Sequence, residues 1–213
     1  MVTSSWEAPG AQTAPQAQTA ASRRRGAVLE RAILDAALKE LSTVGWNGLT
    51  MEGVAAAAQT GKAAVYRRWP SKEDLVADAL WAGLPQFDGV PDLGSVREDL
   101  LDLCRRARDA MFSPSGFAVR SVIFECDSTQ AERFHAVIFK GVVEPVIGML
   151  REVIERGIER GEVRADATNG YVFDAIPAMM MYRSKMCGSE LADIDLEEMI
   201  DQLMVPLLGR GGS

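Results

Sequence analysis

The sequence predicts an all-α protein made of a small N-terminal three-helix domain and a larger C-terminal helical domain. Three observations carry this expectation. Apolar residues recur at intervals of three and four through nearly every ordered segment, as one buried face of an α-helix requires. No stretch alternates apolar and polar residues as a half-buried strand does. The best boundary is residues 83–94, where Pro85, Gly89, Pro91 and Gly94 cluster.

Residues 1–22 are mostly Ala, Gln, Thr, Ser, Pro and Gly with Glu7 as the sole charge, and are expected to form a disordered tail. Leu29, Ile33, Ala37 and Leu41 mark a first helix over 26–44, with Gly45 as its stop. Thr50 reads as the N-cap of a short alanine-rich helix anchored by Val54. Gln59 to Lys62 form a turn into a third short segment, Ala63–Trp69, closed by Pro70 because a residue before proline leaves helical geometry. Ser71 caps the next helix, with Asp74 three positions on as an acidic variant of the capping box. The first domain is thus placed at 23–82 and the linker at 83–94. Beyond the linker, helices are expected near 95–112, 117–126, 130–160 with a kink at Pro145, 168–186 with Pro177 inside, and 195–208, the last with an unbroken apolar stripe.

With 47% hydrophobic and 25% charged residues, the chain of 213 is compositionally globular, which excludes wholesale disorder. Three widely spaced cysteines, Cys104, Cys126 and Cys187, do not make a disulfide scaffold and suit a reducing compartment. One histidine and no CxxC leave too few soft ligands for a structural zinc site, so no metal or cofactor is expected. Residues 1–22 lack the pattern of a secretory signal, and no apolar run approaches the ~18 residues of a membrane helix. A cytoplasmic protein with no membrane partner is expected.

The net charge of −7 conceals an asymmetry. Residues 22–72 carry nine basic and four acidic side chains, net +5, whereas 81–213 carry 14 basic and 22 acidic, net −8. A basic module on an acidic body points to a polyanion partner; an unevenly charged solvated surface is the plain alternative. Two short helices joined by a tight turn, the second basic, describe a helix-turn-helix. Val65 and Trp69, four apart, both face inward, which leaves the Arg67/Arg68 side outward. Arginine bonds guanine O6 and N7 bidentately in the major groove, whereas lysine and tyrosine mostly bond phosphate.

Residues 58–76, AQTGKAAVYRRWPSKEDLV, resemble the recognition-helix signature of the tetracycline-repressor (TetR) family of transcriptional regulators. The preceding LTMEGVAAAA resembles that family's second helix and RGAVLERAILDAALKELSTVGWNGLT its first, so the resemblance covers about 26–80. The body resembles it only loosely, through RGEVRADATNGYVFDAIPAMMMYR. The resemblance implies DNA contacts by Thr50, Lys62, Tyr66, Arg67 and Lys72. Ala63, Ala64 and Arg68 on the same helix complete the candidate set, with Arg25 from the run Arg23–Arg25, which is either a flexible arm on DNA or three solvated arginines. Two departures stand out: the family usually has glycine where Gln59 stands, and often threonine where Ala64 leaves only an apolar contact.

A single short helix-turn-helix makes few contacts, and two-fold dimers solve this by presenting two recognition helices one DNA turn apart. The resemblance implies a homodimer through the last two helices, and the stripe Leu196, Met199, Ile200, Leu203, Met204 and Leu207 is the candidate interface, with packing on its own core as the alternative. It also implies a small-molecule effector pocket in the body. Candidate walls are Cys104, Met111, Phe117, Phe124, Phe134, Phe139, Phe173, Met180 and Tyr182, with Arg120, Glu125, Asp174 and Arg183 as polar candidates; plain core is the competing assignment for each apolar one. The helices at 72–82 and 95–112 are the expected link from pocket to DNA-binding domain. No nucleophile stands near His135 at triad-like spacing and no phosphate-binding glycine loop is present, so no catalytic residue is expected. The expected function is a ligand-responsive regulator, by family default a repressor, on a palindromic double-stranded operator. The rival is a helical ligand-binding or protein-interaction dimer that has lost specific DNA binding.

Overall fold

The computed structural model describes residues 16–209, with the backbone alone at 16–25 and 128–131. Among the described residues every regular element is a helix: α1 (Gln16–Gly48), α2 (Met51–Ala57), α3 (Lys62–Tyr66), α4 (Lys72–Gly83), α5 (Val96–Met111), α6 (Pro114–Glu125), α7 (Ser128–Ile138), α8 (Glu144–Glu159), α9 (Gly170–Met186), α10 (Asp193–Met199) and α11 (Val205–Leu208). None of them is long and apolar enough to cross a membrane.

The caps are those the sequence requires. The hydroxyl oxygens of Thr50, Ser71 and Ser95 accept the N–H groups of Gly53, Asp74 and Glu98, which satisfies one open donor at the start of α2, α4 and α5. Helical geometry breaks at Gly45, the expected stop, where φ is 74° and ψ 177°. The N-terminal expectation fails in part. α1 opens at Gln16, so 16–22 are helical and Arg23–Arg25 lie on a helix, not a flexible arm. Residues 16–25 contain no proline or glycine and are rich in alanine, glutamine and arginine, so propensity extends the helix that the periodic stretch nucleates. Residues 1–15 of the expected tail, and the side chain of Arg25, lie outside what the structure describes.

Two C-terminal helices contain a feature that the sequence pattern does not announce. The long helix expected over 130–160 is an unbroken helical run over 128–159, but a π-helical turn, Phe139–Val143, joins α7 to α8 just before Pro145, and the Glu144 N–H bonds the Phe139 carbonyl five residues back. A second π turn, Ile200–Met204, precedes Pro206, and there the Val205 N–H bonds the Ile200 carbonyl. A proline offers no N–H to the carbonyl four residues before it and crowds it, and the wider turn relieves both problems. It also explains the pattern on the last helix. Leu196, Ile200, Met204 and Leu208 are all buried. A four-residue repeat drifts by about 40° per step in an α-helix, and the π turn takes up that drift.

Two apolar cores result, and they do not divide at the linker. The first joins α1–α4 to Ala118 and Val122 of α6 and Phe134 of α7; the second joins α5, α8, α9, α10 and α11. Helices α6 and α7 follow the linker in sequence but pack back on the N-terminal domain. The linker itself is pinned, since the Arg106 guanidinium donates to the carbonyls of Asp88 and Gly89.

Two side-chain-bearing residues among those described stand in the left-handed region, Gln59 and Leu191. Gln59, in the turn between α2 and α3, has φ 51°, a left-handed conformation that costs a side-chain-bearing residue roughly 1–2 kcal/mol. Allowing for the greater freedom of glycine in the unfolded chain, Gln59→Gly is expected to raise stability by about 0.5–1 kcal/mol, read as a higher denaturant midpoint at unchanged slope.

Candidate nucleic-acid interface and ligand cavity

The five-residue α3 is continued by a turn in which the N–H groups of Arg67 and Arg68 bond the carbonyls of Ala63 and Val65. Val65 is wholly buried, and Trp69, also buried, donates its indole N–H to Asp78 Oδ2 at 2.8 Å. These two anchors fix which side of so short a helix faces out. Lys62, Ala63, Tyr66 and Arg67 are exposed there, with Thr50 exposed nearby on the start of α2. Ala64 is half-buried, and so is Arg68, whose Nη1 donates to the Ala64 carbonyl at 3.0 Å. Arg68 therefore lies along its own helix instead of projecting beside Arg67.

Lys72 also departs from expectation. Its ammonium sits 4.1 Å from the centroid of the Trp46 ring and donates to the Trp46 carbonyl at 2.5 Å. Partial burial lowers its pKa. The side chain ties α4 to the end of α1, which leaves it turned away from the outward cations.

An acid missed in the sequence completes this surface. Glu52 on α2 pairs with the Lys62 ammonium and lies 3.5 Å from the Tyr66 hydroxyl, while Lys62 stands 5.3 Å over the Tyr66 ring. The Lys62 hydrogen bond holds the Glu52 carboxyl below its ordinary pKa, and Glu52 raises that of Lys62. A ten-residue separation across a turn carries no helical-spacing signal, which is why the pair is not legible from the sequence.

A half-open cavity of about 190 Å³ lies between α5, α6, α8 and α9. Met111, Val119, Ile123, Pro177 and Met180 are among its walls, and Arg120 is their only charged residue. The opposite side of α6 buries Ala118 and Val122 in the N-terminal core. Its polar edge grips the end of α1: Ser121 Oγ accepts the Trp46 N–H at 2.7 Å and donates to Glu125 Oε1 at 2.9 Å, and Glu125 Oε2 accepts the Asn47 N–H at 3.1 Å. Glycine suits position 45 because φ there is 74°, and a β-carbon would in addition lie 2.7 Å from the Glu125 carboxylate oxygens and push them from their bonds to this turn.

Residues 33–79 match the bacterial regulatory proteins of the tetR family, and residues 90–203, more than half the chain, match the tetracyclin repressor-like C-terminal domain. The chain belongs to the TetR family of transcriptional regulators. It is 29% identical over 185 residues to an HTH-type transcriptional regulator of Mycobacterium tuberculosis, covering 85% of this chain and 88% of that one. It is also 29% identical over 191 residues to the DNA-binding transcriptional repressor TetR of Mycobacteroides abscessus, covering 88% and 97%. Among solved structures it shares the fold of NalD, the secondary repressor of the MexAB-OprM multidrug efflux pump in Pseudomonas aeruginosa, with TM-score 0.64 and 18% identity over 89% of this chain and 100% of that one. FadR of Bacillus subtilis, solved with stearoyl-CoA, gives TM-score 0.63 at 14% identity over 84% and 97%.

In this TetR-family body most of the expected pocket walls fall elsewhere. Met111 and Met180 line the cavity. Phe134 belongs to the N-terminal core, edge-on to Trp46 at 5.1 Å. Cys104 and Phe173 are interior residues of the second core, and burial pushes the Cys104 thiol up to about 12. Phe117, Phe124, Phe139 and Tyr182 are exposed, Phe124 under the Lys185 ammonium and Phe139 stacked on His135. Periodicity reports that a residue faces inward, but not whether it meets a neighbour or a void, and aliphatic side chains make most of these walls. Of the polar candidates only Arg120 reaches the cavity; Glu125 holds the α1 turn, Asp174 is exposed, and Arg183 lies on a shallow groove between α9 and α10.

The expected dimer stripe divides likewise. Leu196, Ile200 and Met204 are completely buried in their own protomer's core and are unavailable to a partner. Met199, Leu203 and Leu207 are half-buried, and the first two line that shallow groove.

Proposed function

We propose that this regulator represses transcription in the cytoplasm as a homodimer on a two-fold operator, and that a small molecule held in the body's cavity releases it. The observation that carries the reading is the two-sided α6. One face is cavity wall and the other is part of the DNA-binding domain's core, so a ligand that displaces Val119 or Ile123 works directly on the turn at Gly45–Asn47 from which α2 and α3 hang. An effector can shift the protein only by binding one arrangement better than the other, and a packed helix with a ligand on one side supplies such a difference. In this reading α6 carries the link, and the α4–α5 connection expected from the sequence is the alternative route.

The DNA contacts proposed are Lys62, Ala63, Ala64, Tyr66 and Arg67, with Thr50 at the edge, Arg68 secondary and Lys72 as a support. For dimerisation we propose the exposed side of α9, where Ala178, Tyr182 and Met186 lie four apart, together with Met199, Leu203 and Leu207. Tyr182 and Met186 are 57% and 73% exposed and share one side of α9, an apolar surface that a partner would cover.

Glu52 competes with DNA phosphates for Lys62 and Tyr66. Glu52→Gln is therefore expected to raise DNA affinity several-fold at low salt and to steepen the log–log salt dependence by up to about one counterion per protomer. An unchanged salt slope would place the pair outside the interface.

The direct test is a titration of purified protein against fluorescent DNA spanning candidate upstream regions at two salt concentrations. Saturable binding that outcompetes random DNA and weakens with salt is the expected result. Equal binding to random sequence would favour the reading in which specific DNA recognition has been lost.

A further inference from the structure

The walls of the cavity offer a ligand almost nothing to pair with. They are aliphatic residues, prolines and methionines, with Phe87 from the linker, and nearly all stand on helices whose backbone N–H and C=O groups bond within the helix. Among the described residues Arg120 is the one charged wall residue, and its charge lies elsewhere. Its Cζ is 4.4 Å from the Phe117 ring centroid and 5.1 Å from that of Phe112, and its Nη1 donates to Ser184 Oγ at 3.1 Å. None of those three residues lines the cavity, so Arg120 lends its aliphatic stem to the wall and holds its guanidinium off it.

Such a surface selects by exclusion. An ion that leaves water for it gains no counter-ion and a hydroxyl gains no partner, so each binds less well than a hydrocarbon group of the same size. The penalty is smaller for a polar group that stays at the mouth, where Ile123 is 41% exposed. Methionine adds tolerance of outline. Met111 from α5 and Met180 and Met181 from α9 are unbranched, and thioethers contact ring edges favourably. Volume sets the size. A dry cavity of about 150 Å³ takes benzene, so about 190 Å³ suits a ring with two or three further carbons.

We propose that the cavity binds an uncharged, apolar molecule of about eight or nine carbons, recognised by its size and without a polar head group. This rests on the reading of the cavity as the effector site and adds the effector's chemical class.

The test uses probes of matched shape, so that polarity alone changes: ethylbenzene against benzyl alcohol and benzylammonium, and cumene against benzoate, each titrated calorimetrically into the full-length protein. Ethylbenzene is expected to bind at least about threefold more tightly than benzyl alcohol and at least about thirtyfold more tightly than benzylammonium, with a similar gap between cumene and benzoate. Ala110→Leu, which fills part of the space from α5, is expected to weaken ethylbenzene binding by at least about tenfold. If Ala110→Leu does not fold, Ala107→Leu fills the cavity from one turn earlier on the same helix. Equal affinities within a matched set, or tighter binding of a charged member, would overturn the chemical class and leave the effector cavity standing. Undiminished ethylbenzene binding in the filled variant would put the binding outside the cavity and overturn the proposal. Ethylbenzene that binds as expected but leaves affinity for DNA unchanged at saturation would keep the ligand class and overturn its role as effector. Failure of every probe to bind would overturn both.

Discussion

Replacing Arg67 with alanine is expected to lower operator affinity by at least about 30-fold while leaving the fold intact. A bidentate arginine–guanine contact contributes about 1–3 kcal/mol of discrimination, and a two-fold dimer makes the contact twice, so the lower bound of the loss is about 2 kcal/mol per dimer. Arg67 is exposed and lies between the buried anchors Val65 and Trp69, so its removal opens no cavity. Melting temperature should stay within the scatter of ordinary surface substitutions. Affinity for random DNA should fall far less, because that binding depends on phosphate contacts to which Arg67 adds one charge among several. Arg68→Ala is the informative neighbour: its guanidinium already bonds the Ala64 carbonyl, and a smaller loss of affinity is expected. Fluorescence anisotropy with operator and scrambled duplexes measures all of these. Wild-type operator affinity in Arg67→Ala would show that this side of α3 does not read bases.

How much of this was legible beforehand differs sharply between the two halves. The helix-turn-helix was readable because its determinants are local: caps at Thr50 and Ser71, a stop at Gly45, a proline after Trp69, and two apolar anchors four apart. Even the misfit at Gln59 was foreseeable, because a tight turn there asks for a left-handed residue. What escaped were pairings between elements. Glu52 meets Lys62 across a turn, Lys72 folds back on Trp46, and Glu125 reaches the α1 turn 78 residues away in sequence. In the body, periodicity located the helices and erred on what each buried face meets. Phe134 illustrates this: it lies beyond the linker, yet its ring completes the N-terminal core against Trp46. The π turns before Pro145 and Pro206 escaped for a related reason, since a proline in a helical pattern announces a disturbance but not whether the backbone bends or widens.

The same interlocking makes the body sensitive at one buried carboxylate. Asp99 is 0% exposed, and it joins three segments: its Oδ1 accepts the Leu93 N–H of the linker at 2.6 Å, its Oδ2 meets Arg160 Nη2 at the end of α8 at 3.3 Å, and it lies itself in the first turn of α5. Asp99→Ala is expected to destabilise the protein by about 3 kcal/mol, because it takes a wholly buried carboxylate from Arg160 and from the Leu93 N–H. The value falls at the low end for a broken buried pair because Arg160 keeps Asp92 at 3.2 Å and Glu162 at 3.6 Å. At this chain length each kcal/mol shifts the melting temperature by about 2–4 °C, so a fall of roughly 6–12 °C is expected. Asp99→Asn retains a carbonyl oxygen for Leu93 and should lose about half as much. Arg97→Ala, which breaks only the exposed pairs with Glu98 and Asp201, should change the melting temperature least of the three. Thermal unfolding followed by circular dichroism orders the three variants. Asp99→Ala melting with the wild type would mean that the linker is held by its other ties, Arg106 to the Asp88 and Gly89 carbonyls and Asp92 to Arg156 and Arg160, and that the apolar core shared by α5 and α8 joins those helices without the buried carboxylate.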